Sequence, residues 1–252
     1  MSTRVINAAN VLSAITVCLL SACTSITAVK DVTADKTGHL VKNFSPQTLA
    51  PSVSKKIPAE GKDAKFGKLI ITTEASSELS DGKKEAWKSV MTLVDNGNGI
   101  IQTMNELSNN EISYALIYSL TYKGLVDLRW QTVPLRGAVT GPVYELKDAT
   151  RFDALPAGIN KDFAVDYTSG SDIQIANFLS SQKTCTTKRV VAASEFHKSL
   201  PGQATEIECQ QRNNNTVQSR SKWLLLQNYG VVVMIENTSS ARKTTYRLVD
   251  VN

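Results

Sequence analysis

Ser221-Lys-Trp-Leu-Leu-Leu-Gln-Asn-Tyr-Gly-Val-Val-Val-Met-Ile-Glu-Asn237 holds two apolar runs, 223–226 and 231–235, parted by Asn228 and Gly230. Runs this rich in β-branched and aromatic side chains favour strands, and Asn and Gly between them mark a tight turn. Neither run alternates polar with apolar, so both are expected as central strands covered on both faces. Outward from this pair the pattern repeats. Strands are expected at 185–196, 203–211, 217–227, 230–237 and 243–251, broken at Pro201-Gly202, Asn213-Asn214-Asn215 and Ser239-Ser240. Residues 183–252 therefore predict an antiparallel meander whose second face must be covered from upstream.

Upstream, 66–73, 112–122 and 125–133 are β-rich, the last two around Lys123-Gly124. Residues 163–167 and 173–178 flank the hairpin signature Ser169-Gly170-Ser171. The glycines and prolines of 134–161 predict a long loop with a short strand at 143–146. Trp87, Val90, Met91 and Val94 fall at i, i+3, i+4 and i+7, one stripe of an amphipathic helix over 82–94. Asn96-Gly97-Asn98-Gly99 ends it and is equally a hairpin turn; Ile100, Ile101, Met104 and Leu107 still fit a helix over 100–107. The fold expected is mainly β with one or two helices (α+β). In it the C-terminal meander, pinned by a disulfide, packs on a helix-plus-strands region over 66–182, the two forming one domain or two.

The 252 residues are 42% apolar and 20% charged, enough to bury a core and too apolar for wholesale disorder. No stretch reaches the roughly 18 consecutive apolar residues of a membrane-spanning helix.

At the N-terminus a mostly polar segment with Arg4 precedes the apolar run Val11-Leu-Ser-Ala-Ile-Thr-Val-Cys-Leu-Leu20 and then Leu20-Ser21-Ala22-Cys23. The run suits the h-region of a signal peptide. The tetrapeptide resembles the lipobox of bacterial lipoproteins. That resemblance implies a signal peptide over 1–22, cleavage before Cys23, and acylation of the Cys23 thiol and of the new amine. Thr24 in place of Asp implies sorting to the outer membrane, with the periplasmic face expected. The plainer alternative is an ordinary secretory signal with Cys23 a spectator. Two acyl signals already anchor a protein stably, so three chains would hold this one durably. Residues 23–65, with Pro46, Pro51 and Pro58 and no sustained apolar period, are expected as a flexible tether.

Of the four cysteines, Cys18 leaves with the signal and Cys23 would carry lipid. Cys185 and Cys209 remain, an even pair in an oxidising compartment, and predict one disulfide; two buried thiols are the alternative. It would close a loop of about 25 residues, worth roughly 3 kcal/mol in the chain-entropy model. Zinc lacks ligands, since only His39 and His197 accompany the pair.

Charge is uneven. Residues 183–252 hold ten Lys/Arg against five Asp/Glu, a net +5, whereas 23–182 hold seventeen against eighteen, a net −1. A basic exported surface favours anionic glycans, lipid headgroups or acidic proteins, and it also serves plain solubility. No nucleic-acid motif occurs.

No nucleophile elbow, Walker loop, dinucleotide fingerprint or zinc-protease motif is present, and no catalytic residue, cofactor or metal is expected. His197 reads as a loop histidine. Asp127, Glu145, Asp148 and Asp153 keep a two-carboxylate glycan hydrolase formally open. Asp162, Asp166 and Asp172 match no calcium loop. Tyr114, Tyr118 and Tyr122 share one strand face, as a glycan platform or, more commonly, as packing. The function expected is a non-enzymatic binding or accessory module of the bacterial envelope. It would be held to the bilayer through acylated Cys23, with an envelope protein or anionic glycan as partner. The alternatives are a carboxylate-based cell-wall or polysaccharide hydrolase and a surface-exposed ligand-binding or adhesion lipoprotein.

Overall fold

The computed structural model describes residues 27–59 and 65–252; the signal peptide and the lipobox with Cys23 lie outside them. Twelve antiparallel strands close into one up-and-down barrel, each pairing with its neighbours in sequence and the first with the last. They are β1 Lys68–Leu79, β2 Lys84–Asp95, β3 Ile100–Asn109, β4 Ile112–Tyr122, β5 Val126–Pro134, β6 Tyr144–Phe152, β7 Asp162–Ser171, β8 Leu179–Ala192, β9 Gln203–Asn213, β10 Thr216–Leu226, β11 Val231–Ser239 and β12 Arg242–Val251. The expected α+β packing is thereby overturned. The C-terminal strands do form a meander, but they continue the same wall as the upstream strands instead of lying on a helical layer.

The physical reason lies in 82–107. The stripe Trp87, Val90, Met91, Val94 fits a helix, yet Ser89, Met91 and Leu93 also alternate with Val90, Thr92 and Val94. The β-branched members of that second set favour extended backbone. β2 pairs with β1 from Lys84 to Val94 and with β3 from Lys88 to Asp95, so both its edges find hydrogen-bond partners. The Asn96–Gly99 segment is accordingly the β2–β3 turn, with Asn98 at φ 53°. Ser169-Gly170-Ser171 ends β7 instead of turning it, and 173–178 is loop.

Residues 27–59 of the expected tether are structured as well. Helices α1 Val29–Ala34, α2 Lys36–Asn43 and α3 Pro51–Ser54 lie against the outer face of β3–β6. Val29, Val32, Leu40, Phe44 and Val53 are buried in one cluster with Leu116, Tyr118 and Leu120 of β4. Asp35 caps α2 by accepting from the Gly38 N–H at 2.8 Å, and Pro51 opens α3 where its missing N–H costs nothing. Sparse apolar residues at i, i+3 and i+4 were too few to show as a period, but a waiting apolar wall needs only these. Tyr118 stacks on Phe44 at 5.7 Å between centroids and meets His39 edge-on at 4.8 Å. With Tyr118 at 0% and Tyr122 at 1% exposure, the tyrosine row is packing.

One end of the barrel is shut by apolar side chains. Leu69, Ile71, Leu93 and Ile101 of β1–β3 join Leu224, Leu226, Val231 and Val233, with Leu200 from the β8–β9 connection. The runs 223–226 and 231–233 are buried on both faces, as their lack of alternation required. β11 pairs with β12 only over Glu236, Asn237 and Thr238. Lower down, the Val232 N–H donates to the Lys123 carbonyl at 2.8 Å, so the β4–β5 turn docks there. Lys123 and Gly124 both take positive φ, 52° and 75°, as a two-residue type I′ turn demands.

Candidate binding lumen

Residues directly opposite each other across a ladder share a face, so the register carries one face around the barrel. Thr73 faces Ser89, Met91 faces Asn105, and Thr103 faces Ser119, which faces Trp130. Trp130 faces Tyr144, Tyr167 faces Ser181, Lys183 faces Gln211, and Cys209 faces Ser221. This face points inward. The opposite face carries exposed ion pairs such as Arg247–Glu74, Lys188–Glu208 at 3.6 Å and Lys243–Glu236 at 3.1 Å. Such an exterior stands in water: each Lys or Arg at a bilayer midplane would cost roughly 2–4 kcal/mol.

The interior is mostly polar and aromatic. All three tryptophans, Trp87, Trp130 and Trp223, lie on the inward face, with Tyr144, Tyr167 and Tyr246. Trp130 stacks on Tyr144 at 5.7 Å and Trp87 meets Tyr246 edge-on at 6.4 Å. Amides and hydroxyls bond from strand to strand: Ser89 to Asn105 at 2.7 Å, Gln211 to Tyr167 at 3.1 Å, Ser181 to Asn213 at 3.0 Å. Twelve strands make a wider barrel than the eight whose interior is filled by side chains or holds one small ligand, and small inward residues such as Thr73, Ala75, Ser77 and Ser89 are buried in it at 3% exposure.

Lys183 and Asp127 are charged residues of the inward face that interact with each other. The Lys183 amine donates to the Leu125 carbonyl and sits 4.6 Å over the Trp223 ring. Burial pushes its pKa down to about 8, the Asp127 charge partly restoring it. Burial likewise pushes the Asp127 carboxyl up, opposed by Lys183. Asp127 is nonetheless open to water. Its carboxyl faces the barrel interior while keeping access to solvent. Asp127 gets there through a β-bulge: it pairs with Thr121 while Arg129 pairs with Leu120, leaving Leu128 as the extra residue.

Cys185 and Cys209 are directly opposed on β8 and β9 and form the expected disulfide, with their Cα atoms 4.0 Å apart. The other carboxylates named as hydrolase candidates are not brought to Asp127. Glu145 faces outward in a network with Arg129 and Lys147, the Lys147 contact being 2.8 Å, and Arg129 also reaches Asp172 at 3.7 Å. Asp148 lines an outer groove with Asp166. Asp153 is clasped by Arg151 and accepts from the Ala164 N–H, which hold its carboxyl below the usual range. Asp162 accepts from Thr186 at 2.6 Å and Asp166 from Gln182 at 2.8 Å. Among the described residues no His, Cys, Asp and Glu group could hold a metal. His39 bonds Gln131 at 2.9 Å beneath α2, and His197 bonds Ser199 at 2.8 Å. On the outer face of β7–β11 a groove of about 650 Å³ carries Lys188, Lys222 and Arg220, the first two paired with Glu208 and Glu236. Much of the C-terminal basic excess is thus spent in ion pairs.

Lys183 and the inward tryptophans escaped the sequence. In 181–187 the inward Ser, Lys, Cys and Thr alternate with outward Gln, Thr and Thr, so a wet lumen and a wet exterior give no contrast in polarity. Together these features define a closed up-and-down β-barrel with a charged exterior and an interior face of polar and aromatic side chains. No protein-family model, curated protein or solved structure matches the chain.

Proposed function

We propose that this protein is a non-enzymatic binding module of the bacterial envelope, anchored through acylated Cys23, which takes an anionic glycan into the barrel lumen. The observation that carries this is that every tryptophan lies on the inward face, together with three tyrosines, hydrogen-bonding amides and the Lys183 cation. Aromatic faces stack on sugar rings, amides and hydroxyls answer sugar hydroxyls, and a desolvated ammonium answers a carboxylate or phosphate. The outer groove supports this role less well, because most of its cations already have carboxylate partners.

The test is a titration of the purified chain with acidic cell-wall and envelope oligosaccharides, read by tryptophan fluorescence. Saturable change is expected, lost in Lys183→Met and weakened at least tenfold in Trp130→Ala. A glycan that binds with unchanged fluorescence, or equal binding by Lys183→Met, overturns the lumenal site. Release of shortened glycan would instead establish a hydrolase.

A further inference from the structure

Among the described residues, eight of the eleven exposed large apolar side chains lie at one end of the barrel. Alternate hairpins of an up-and-down barrel share an end, and β3–β4, β5–β6, β7–β8 and β9–β10 carry Ile112 (61% exposed), Val139 (52%), Ile173 (58%), Ile175 (93%), Phe178 (37%) and Val217 (39%). Isolated exposed apolar side chains are ordinary; their collection on one rim is not. Among the described residues the opposite end has only Ile159 and Val190.

The chain also reaches this rim from its lipid-bearing side. Ala28 bridges Val139, the Val29 N–H donates to the Ala138 carbonyl at 3.1 Å, and the Thr140 N–H donates to the Thr27 carbonyl at 3.0 Å. Thr27 is thus fixed to the β5–β6 loop, and the four steps back to Cys23 span at most about 14 Å. Lys30 and Arg136, both exposed, flank this attachment and suit anionic headgroups.

We propose that the barrel docks rim-first on the bilayer, with Ile173, Ile175 and Phe178 of the β7–β8 loop and Val139 of the β5–β6 loop entering the headgroup layer. The occupant of the apolar rim is lipid because the short leash from Cys23 leaves that end no room to stand off. The orientation rests on the acyl anchor of the proposed function, and because the Leu69–Leu226 cluster shuts the opposite end it turns the end left open toward the headgroups, so a glycan bound in the interior must be one that the membrane itself presents.

The test places an environment-sensitive fluorophore at Ile175→Cys and, separately, at Ile159→Cys on the opposite end, in the full acylated chain. Each is reconstituted in phosphatidylethanolamine–phosphatidylglycerol vesicles containing nitroxide-labelled lipid. Quenching at position 175 is expected to exceed that at 159 at least threefold, and Ile173→Asp should reduce it. Equal quenching at the two positions, or none at 175, overturns rim docking. Intact mass reports the anchor separately: a bare Cys23 takes a second fluorophore. In that event the same probe on the Cys23→Ser chain mixed with vesicles decides the docking, quenching supporting it and its absence refuting it.

Discussion

Lys183 makes the folded chain respond to pH. Its amine releases its proton at about 8 when folded, against an ordinary 10.5. Between those values the unfolded chain holds the extra proton, so stability rises with pH. Lys183→Met removes that rise. Urea unfolding at about pH 7 and about pH 9.5 should show the wild type gaining about 2 kcal/mol relative to the variant, and parallel curves would refute the desolvated amine. Asp127 acts at the acid end with the opposite sign. Its raised pKa gives a contribution present at low pH and lost as pH rises through the raised value. Gly124 is a second pressure point. At φ 75° it already sits where L residues are strained, and a Cβ there would lie 2.5 Å from the Val232 carbonyl oxygen. Gly124→Ala is expected to cost about 2–4 kcal/mol by chemical denaturation, against about 1–2 kcal/mol for Gly82→Ala, whose φ of 83° is equally strained but whose added Cβ meets nothing within 4 Å. For Cys185–Cys209, thiol reduction should lower the melting temperature by up to roughly 10 °C, and an unchanged melting point would show the bridge adds nothing to the hairpin.

At the scale of elements, the helices show how little apolar sequence suffices once a wall exists. α1–α3 are held by five buried side chains, with Lys36–Glu106 at 2.8 Å and the Ser52 hydroxyl donating to the Lys147 carbonyl at 3.0 Å. Removing the central anchor by Phe44→Ala should cost about 3–5 kcal/mol. Because the barrel ladders do not depend on it, the loss should appear first as tryptic cleavage after Lys42 while the β-sheet circular dichroism persists. Simultaneous loss of both would mean that helices and barrel form one cooperative unit. The same elements explain where the sequence misled. Strands β4, β5, β7, β9, β10, β11 and β12 were legible because turn residues bound each run. β2 was not, since residues at i, i+3, i+4 and i+7 belong to a helix stripe while the full run also alternates. The tether was not legible either, since its few anchors acquire meaning only against Tyr118 and its neighbours.

For the molecule as a whole, closure is the decisive event. Ser77 pairs with Thr244 and Leu79 with Arg242, contacts between chain ends that nothing local specifies. Closure turns one set of alternating positions into a lumen and the other into a charged exterior. It also collects the tips of alternate hairpins on a single rim. The chain alone determined the strand-rich composition, most of the turns, the doubly covered runs at 223–226 and 231–233, and the cysteine pair, because each depends on neighbouring residues and their backbone preferences. Only the tertiary structure decided that β2 is a strand, that residues 29–54 pack, and that Lys183, Asp127 and the tryptophans share the inward face of one barrel. Those outcomes depend on which edges find each other across the whole chain, and a polar lumen facing a polar exterior leaves no periodic contrast from which that pairing could be inferred.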